Sequence, residues 1–281
     1  ILKRYAGPHA SSPMPDTTYE VTDDVAVVRI DRGERMNALS EALVAELTEA
    51  MDRAVTDDVR AVLLTHTGDA FSSGYDLSES GGRSEEAEVP SVEQGIDRGR
   101  RVLELFTTIH ELPVPVVAAV RGYALAGGSD LALTCDLTYA GESAVFGYPG
   151  VRMGGMSLSL IYPFVMGIKP ARELLYTGKT IDAAEAARIG MINRCVPDEE
   201  LMPTVWEEID AMKLTPRATL QITKHMLNDV MEMQGYRPAV RTSGYLATLS
   251  HQSTHGRRFF EIREREGIGA AIEWMHDVDK P

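Results

Sequence analysis

Cysteine is nearly absent from this chain: Cys135 and Cys195 are the only two among 281 residues. Two isolated cysteines make no disulfide framework and lack the close spacing of a metal knuckle, so a reducing cytoplasm is the expected setting. Basic residues are also short, 28 Lys and Arg against 42 Asp and Glu, for a formal charge of -14. That balance disfavours nucleic acid or an anionic membrane surface as the main partner. A polyanionic small ligand stays possible, since a few local cations suffice to hold phosphates. No apolar run reaches the ~18 residues of a membrane span. Nor does the sequence carry an internal repeat or a dinucleotide fingerprint, because Gly122, Gly127 and Gly128 do not fit G-x-G-x-x-G. Ile1 to Pro15 lacks the apolar core of a secretion signal; with Gly7, Pro8, Pro13 and Pro15 it reads as a flexible arm.

What is present is an ordinary globular balance, 44% apolar and 25% charged. The first half alternates short apolar runs with helical periodicity. Val25–Ile30 and Ala61–Thr65 read as strands, and Leu43, Leu47, Met51 and Val55 recur at helical spacing between them. Residues 79–92, rich in Ser, Gly and Glu, read as a mobile surface loop. A helix running to about Ile109 follows, with Val102, Leu105, Phe106 and Ile109 on one face. Pro113–Val120 is a continuous apolar strand suited to a sheet buried on both sides. Beyond about residue 157 the patterns are almost all helical. The expected organisation is therefore a flexible arm (1–18), a βα core (19–215) and a C-terminal helical region (216–281).

Two glycine-containing turns follow apolar strands: Ala70-Phe-Ser-Ser-Gly-Tyr-Asp-Leu77 and Arg121-Gly-Tyr-Ala-Leu-Ala-Gly-Gly-Ser-Asp-Leu131. Glycine lets backbone approach a ligand closely, and a helix starting near Gly127 would offer unpaired N–H groups at the positive end of its dipole. Two such turns on adjacent strands could aim two N–H groups at one oxygen. In acyl-transfer enzymes such donors are worth on the order of 3–4 kcal/mol each. Read singly, each turn is more readily a plain strand-to-helix connection.

The two turns, together with Arg35-Met-Asn-Ala-Leu39 and Thr177-Gly-Lys-Thr-Ile-Asp-Ala-Ala-Glu-Ala-Ala-Arg-Ile-Gly-Met191, resemble the enoyl-CoA hydratase/isomerase (crotonase) superfamily in order and spacing. The resemblance runs from about Tyr19 to the C-terminus and is weakest after residue 215. It implies an α/β fold with a crotonase-like ββα-repeat core, and C-terminal helices that assemble a homotrimer or a dimer of trimers. It implies an acyl-CoA thioester as substrate, with the N–H groups of Ser73 and Gly127 forming an oxyanion hole. Met36, Ala38, Ser72, Asp76 and Tyr148 would lie near the CoA ester, mostly through backbone contacts. No metal and no cofactor is implied, since coenzyme A arrives as part of the substrate.

The reaction itself is less sharply drawn. Hydratases of the family commonly use two carboxylates; Asp130 stands at the first place, and Gly150 in Phe146-Gly-Tyr-Pro-Gly150 stands at the second. That departure weakens double-bond isomerisation and leaves Asp130, one methylene shorter than Glu, to manage a water. The stretch Gly155-Met-Ser-Leu-Ser-Leu-Ile-Tyr162 is shorter than the family pattern and implies a reshaped, apolar acyl pocket. Tyr148 and Tyr162 read as proton donors or as plain core aromatics. His66 and His110 read as surface or turn residues. The cluster Arg257, Arg258, Arg263 and Arg265 reads either as contacts to CoA phosphates or as a helix face paired with Glu261, Glu264 and Glu266. An enoyl-CoA hydratase-like lyase is the first expectation. Hydrolysis or decarboxylation of a CoA thioester or β-keto acyl-CoA on the same scaffold, or a non-catalytic acyl-CoA-binding role, are the alternatives.

Overall fold

A computed structural model of the chain describes residues 15–77 and 92–276. Most of the arm expected at the N-terminus, and nearly all of the surface loop expected at 79–92, lie outside those residues. Strand β1 (Thr17–Thr22) already includes two residues assigned to the arm, pairing antiparallel with β2 (Val25–Ile30) from Thr17 opposite Ile30 onward.

From β2 the chain builds a spiral. Helix α1 (Glu41–Thr56) starts at Ser40, whose hydroxyl accepts from the Leu43 N–H at 3.0 Å, and leads into β3 (Ala61–His66). Short β4 (Ala70–Ser72) follows, then α2 (Val92–Glu111), β5 (Val116–Val120), β6 (Tyr123–Leu125), α3 (Gly127–Thr134), β7 (Leu137–Gly141) and β8 (Val145–Gly147). The long strands join one six-stranded sheet, in the order β1-β2-β3-β5-β7-β10, and the short ones a second, in the order β4-β6-β8-β9. Two turns of the chain thus repeat a long strand, a short strand and a helix, which is the ββα pattern expected.

The later elements are α4 (Tyr162–Met166), α5 (Ile168–Thr177), β9 (Thr180–Asp182), α6 (Ala183–Arg188), β10 (Arg194–Val196) and α7 (Leu201–Lys213). Helices α8 (Arg217–Met233), α9 (Tyr236–His251), α10 (Thr254–Glu266) and α11 (Ile268–His276) complete the chain. The C-terminal region is helical as its periodicity predicts. The three-residue strands β9 and β10 went unread because they are too short to carry a period.

The large sheet is buried on both faces, which is why its strands read as unbroken apolar runs. Ala26, Val28 and Ile30 face a core shared with α1, α2 and α3, while Val25 and Val27 face Leu201, Val205 and Ile209 of α7. The predicted α2 stripe Val102, Leu105, Phe106 and Ile109 is buried. On α1, Ala54 takes the buried place expected of Val55, which is exposed. Between β5 and β6 the corner is fixed by Gly122. Its φ is +61°, and a Cβ there would sit 1.8 Å from the Asp69 carbonyl oxygen, so no other residue fits. This corner sets the second turn, 123–131, beside the first, 70–77.

Candidate active site

The first turn is held by backbone. The N–H of Leu39 donates to the Gly74 carbonyl at 2.8 Å, and that of Asp76 to the Leu39 carbonyl at 3.0 Å. This reach is possible because Met36 and Asn37 both take left-handed φ values, near +51° and +52°. Asn37 stabilises that kink from below: wholly buried, it donates to the Thr67 and Ala70 carbonyls and accepts from the Arg32 N–H. The sequence reading passed over Asn37, although Asn is, after glycine, among the residues that best tolerate such a conformation.

Most donors of this turn are already used. The Ser73 N–H donates to the Met36 carbonyl at 3.0 Å, and the Gly74 N–H to the Ser72 hydroxyl at 3.2 Å. Ser73 is therefore not the free donor that the sequence predicted; the αL kink at Met36 swings a carbonyl onto it. The Tyr75 N–H, by contrast, has no carbonyl partner among the described residues.

The second turn reaches its end at Ala126, a non-glycine residue strained to φ +49° and ψ −119°. Gly127 then opens α3, where no carbonyl among the described residues accepts its N–H. The turns touch: a Cβ at Gly74 would lie 3.3 Å from the Gly127 nitrogen, and one at Gly127 only 2.7 Å from the Tyr75 ring. Sequence reasoning thus located the start of α3 near Gly127. It missed Tyr75, and nothing local marks Tyr75, because long-range carbonyls decide which amide is spare.

Asp130 lies one helical turn beyond Gly127 and on the same face of α3. Its side chain is wholly buried. Oδ1 accepts from the hydroxyls of Ser157 at 2.6 Å and Ser159 at 2.9 Å; Oδ2 accepts from the Leu158 N–H and the Tyr75 hydroxyl, both at 3.2 Å. Burial raises its pKa from the ordinary 3.8 to about 6, and the four hydrogen bonds work against that rise. The Tyr75 phenol is pushed well above its usual value by burial and then by the neighbouring carboxylate. The shortened stretch after Gly154 therefore closes over Asp130 as a three-residue bracket. Tyr148 secures it from one side, donating to the Met156 carbonyl at 2.7 Å.

The other candidates sort by their partners. Tyr148 is 2% exposed with its hydroxyl committed, so it is a packed wall and offers no free group to a CoA ester. Tyr162 is wholly buried, and among the described residues no hydrogen-bond partner meets the geometric limits for its hydroxyl or that of Ser129. The Ser72 hydroxyl is buried under the first turn with no base beside it. Asp76 is buried and ion-paired to Arg32 at 2.7 Å, while Arg98 donates to its carbonyl. Met36 and Ala38 stand at the rim of the same turn, Met36 with an exposed side chain.

Both histidines correct the sequence reading, for they are buried. His66 accepts the Arg121 N–H at the end of β3 and meets Phe71 edge-on, while His110 packs on Tyr236. In the C-terminal cluster, Arg258 pairs with Glu261 and Arg263 with Glu264. Arg263 also donates to the Leu77 carbonyl, directly beyond the first turn. Among the described residues no group of three or more His, Cys, Asp or Glu could hold a metal. No described helix is long and apolar enough to cross a membrane.

Comparison with known proteins shows the family and the fold. A family profile described as enoyl-CoA hydratase/isomerase matches residues 20–264. A protein of Thermus thermophilus assigned as an enoyl-CoA hydratase is 34% identical over 85% of this chain and 95% of its own. A Dictyostelium discoideum protein assigned as a mitochondrial enoyl-CoA hydratase is 29% identical, covering 92% of this chain and 88% of its own. Among solved structures, an enoyl-CoA hydratase/isomerase from Xanthobacter autotrophicus Py2 superposes with a TM-score of 0.86 at 32% identity, over 95% of this chain and 98% of that one.

Proposed function

Because the chain belongs to the enoyl-CoA hydratase/isomerase family, we propose that it adds water across the double bond of an α,β-unsaturated acyl-CoA thioester. One observation carries the reading: two backbone N–H groups with no carbonyl partner among the described residues, of Tyr75 and Gly127, stand on touching turns with the buried Asp130 carboxylate beside them. The two N–H groups take the thioester oxygen and stabilise the enolate that forms when water attacks C3. Asp130 orients that water and accepts its proton. With a pKa raised to about 6, the group is ionised at neutral pH yet basic enough to act. This polarisation asks for no metal and no redox group.

The segment Met36–Ala38 and the backbone of Asp76 form the rim where the CoA chain would run. We place the enzyme in a reducing cytoplasm, which suits its free cysteines. We also infer a homotrimer or a dimer of trimers. Helix α8 supports this, since its one buried residue is Lys224, whereas Ile222, Met226, Val230 and Met233 point outward.

The test is the loss of conjugated-thioester absorbance on incubation with short, medium and long trans-2-enoyl-CoAs. A 3-hydroxyacyl-CoA product is expected, with Asp130→Asn lowering kcat by at least about 100-fold. Unchanged hydration in that variant removes Asp130 from the chemistry. A second reading, hydrolysis of a CoA thioester or β-keto acyl-CoA, is favoured by Gly150 in place of a second carboxylate. Tight acyl-CoA binding without hydration would select it.

A further inference from the structure

A carboxylate has about four lone-pair positions, and Asp130 fills all of them: two donors on Oδ1 and two on Oδ2. In this arrangement a water has no acceptor position left on it. Three of the donors belong to the fixed bracket Ser157–Ser159. That bracket is pinned from behind, where Tyr148 holds the Met156 carbonyl and Ser243 of α9 holds the Leu158 carbonyl. The fourth donor, Tyr75, comes from the other turn, is only partly buried as a residue, and bonds at 3.2 Å. It alone can leave without unfolding the bracket.

At Gly150, the place of a second acid, a Cβ would press on the Tyr148 ring at 3.2 Å and make ordinary contact with Ala126 at 3.8 Å. Among the described residues, Tyr75 is the one titratable side chain hydrogen-bonded to Asp130. Its ring lies against Gly127 and its own N–H is the other spare donor, so its hydroxyl is carried by the residue that grips the thioester.

We propose that Tyr75 is a catalytic residue, the proton carrier between Asp130 and the α-carbon of the substrate; this rests on the hydratase reading above. The Tyr75 hydroxyl turns from Oδ2 toward the acyl group, and a water takes the vacated position. The water oxygen bonds to C3 as one of its protons passes to Oδ2, and the C2=C3 electron pair moves into the enolate. The enolate then collapses, C2 takes the Tyr75 hydroxyl proton, and the proton on Asp130 returns to the phenolate oxygen. The product gains hydrogen at C2 and hydroxyl at C3, and both side chains end as they began.

The test is Tyr75→Phe, which keeps the ring over Gly127 and removes only the hydroxyl. Expected are a kcat lower by about 100-fold and a KM within about threefold of the parent. The acidic limb of the pH profile should also move to higher pH, because Asp130 loses a bond that lowers its pKa. An unchanged kcat, or a loss confined to KM and melting temperature, overturns the proposal while leaving the hydratase reading intact. A parent protein that hydrates no trans-2-enoyl-CoA overturns both. If Tyr75→Phe does not fold, 3-fluorotyrosine at position 75 keeps the shape and makes the phenol more acidic. A carrier then changes kcat by about threefold or more, and an unaltered kcat overturns the proposal.

Discussion

Burying a carboxylate costs free energy, and Asp130 shows both sides of that cost. Its pKa of about 6 against an ordinary 3.8 corresponds to roughly 3 kcal/mol by which ionisation opposes the folded state. Linkage fixes the sign. The folded chain binds this proton more tightly than the unfolded chain, so the penalty is full above about pH 6 and fades as the pH falls toward the unfolded value. Activity runs the other way, because the base works only when ionised. We expect kcat for hydration to fall as the pH drops below about 6, read between about pH 5 and 8. Ser157→Ala and Ser159→Ala each remove a donor that holds the pKa down. In either variant the acidic limb should therefore move upward in pH. A limb that stays in place in both would mean that another group titrates there.

At the scale of elements, helix α8 is tied to the core by a charge. Lys224 donates from Nζ to the Ile109 and Val114 carbonyls at 3.1 and 3.0 Å, and to Asp136 Oδ2 at 2.8 Å. Asp136 in turn receives the Val116 N–H at the start of β5. Lys224→Met fits the volume but leaves two carbonyls and a carboxylate short of a donor. It should lower stability by roughly 2–4 kcal/mol in denaturant unfolding. A loss below about 1 kcal/mol would show that solvent reaches the half-open Asp136 and makes good the pair. The same element shows what sequence can and cannot convey. The periodicity of α2, the apolar run of β5 and the glycines at 122 and 127 were legible because each is a local constraint on backbone or burial. Lys224 was not, since a lysine in a helix looks solvated until its carbonyl partners, more than a hundred residues away, are placed. The exchange of Ser73 for Tyr75 has the same root: the turn was visible, but the Met36 and Leu39 carbonyls decide which of its amides stays free. Asp130 could be singled out from its motif, whereas its bracket at Ser157–Ser159 was read only as a reshaped apolar pocket.

For the whole molecule, α8 is inverted relative to an isolated globular protein. It buries a lysine and presents Ile222, Met226, Val230 and Met233, 59, 61, 49 and 86% exposed, along one stripe at helical spacing. Tyr245 and Leu249 of α9 add a further exposed apolar pair. On a chain carrying a formal charge of -14, we read a face of this kind as the proposed assembly surface. Long-range repulsion between copies opposes association, and burial of apolar area at roughly 25 cal/mol per Å2 drives it. Salt screens the first and strengthens the second, so the assembled fraction should rise with ionic strength. Light scattering on the parent is expected to give three or six times the protomer mass of 30.8 kDa. Met226→Glu with Val230→Glu should lower that mass toward the protomer without loss of helix, because neither side chain is buried within the single chain. A double variant that keeps the parent mass would show that another face closes the assembly. In that case the inverted pattern of α8 would need a different partner.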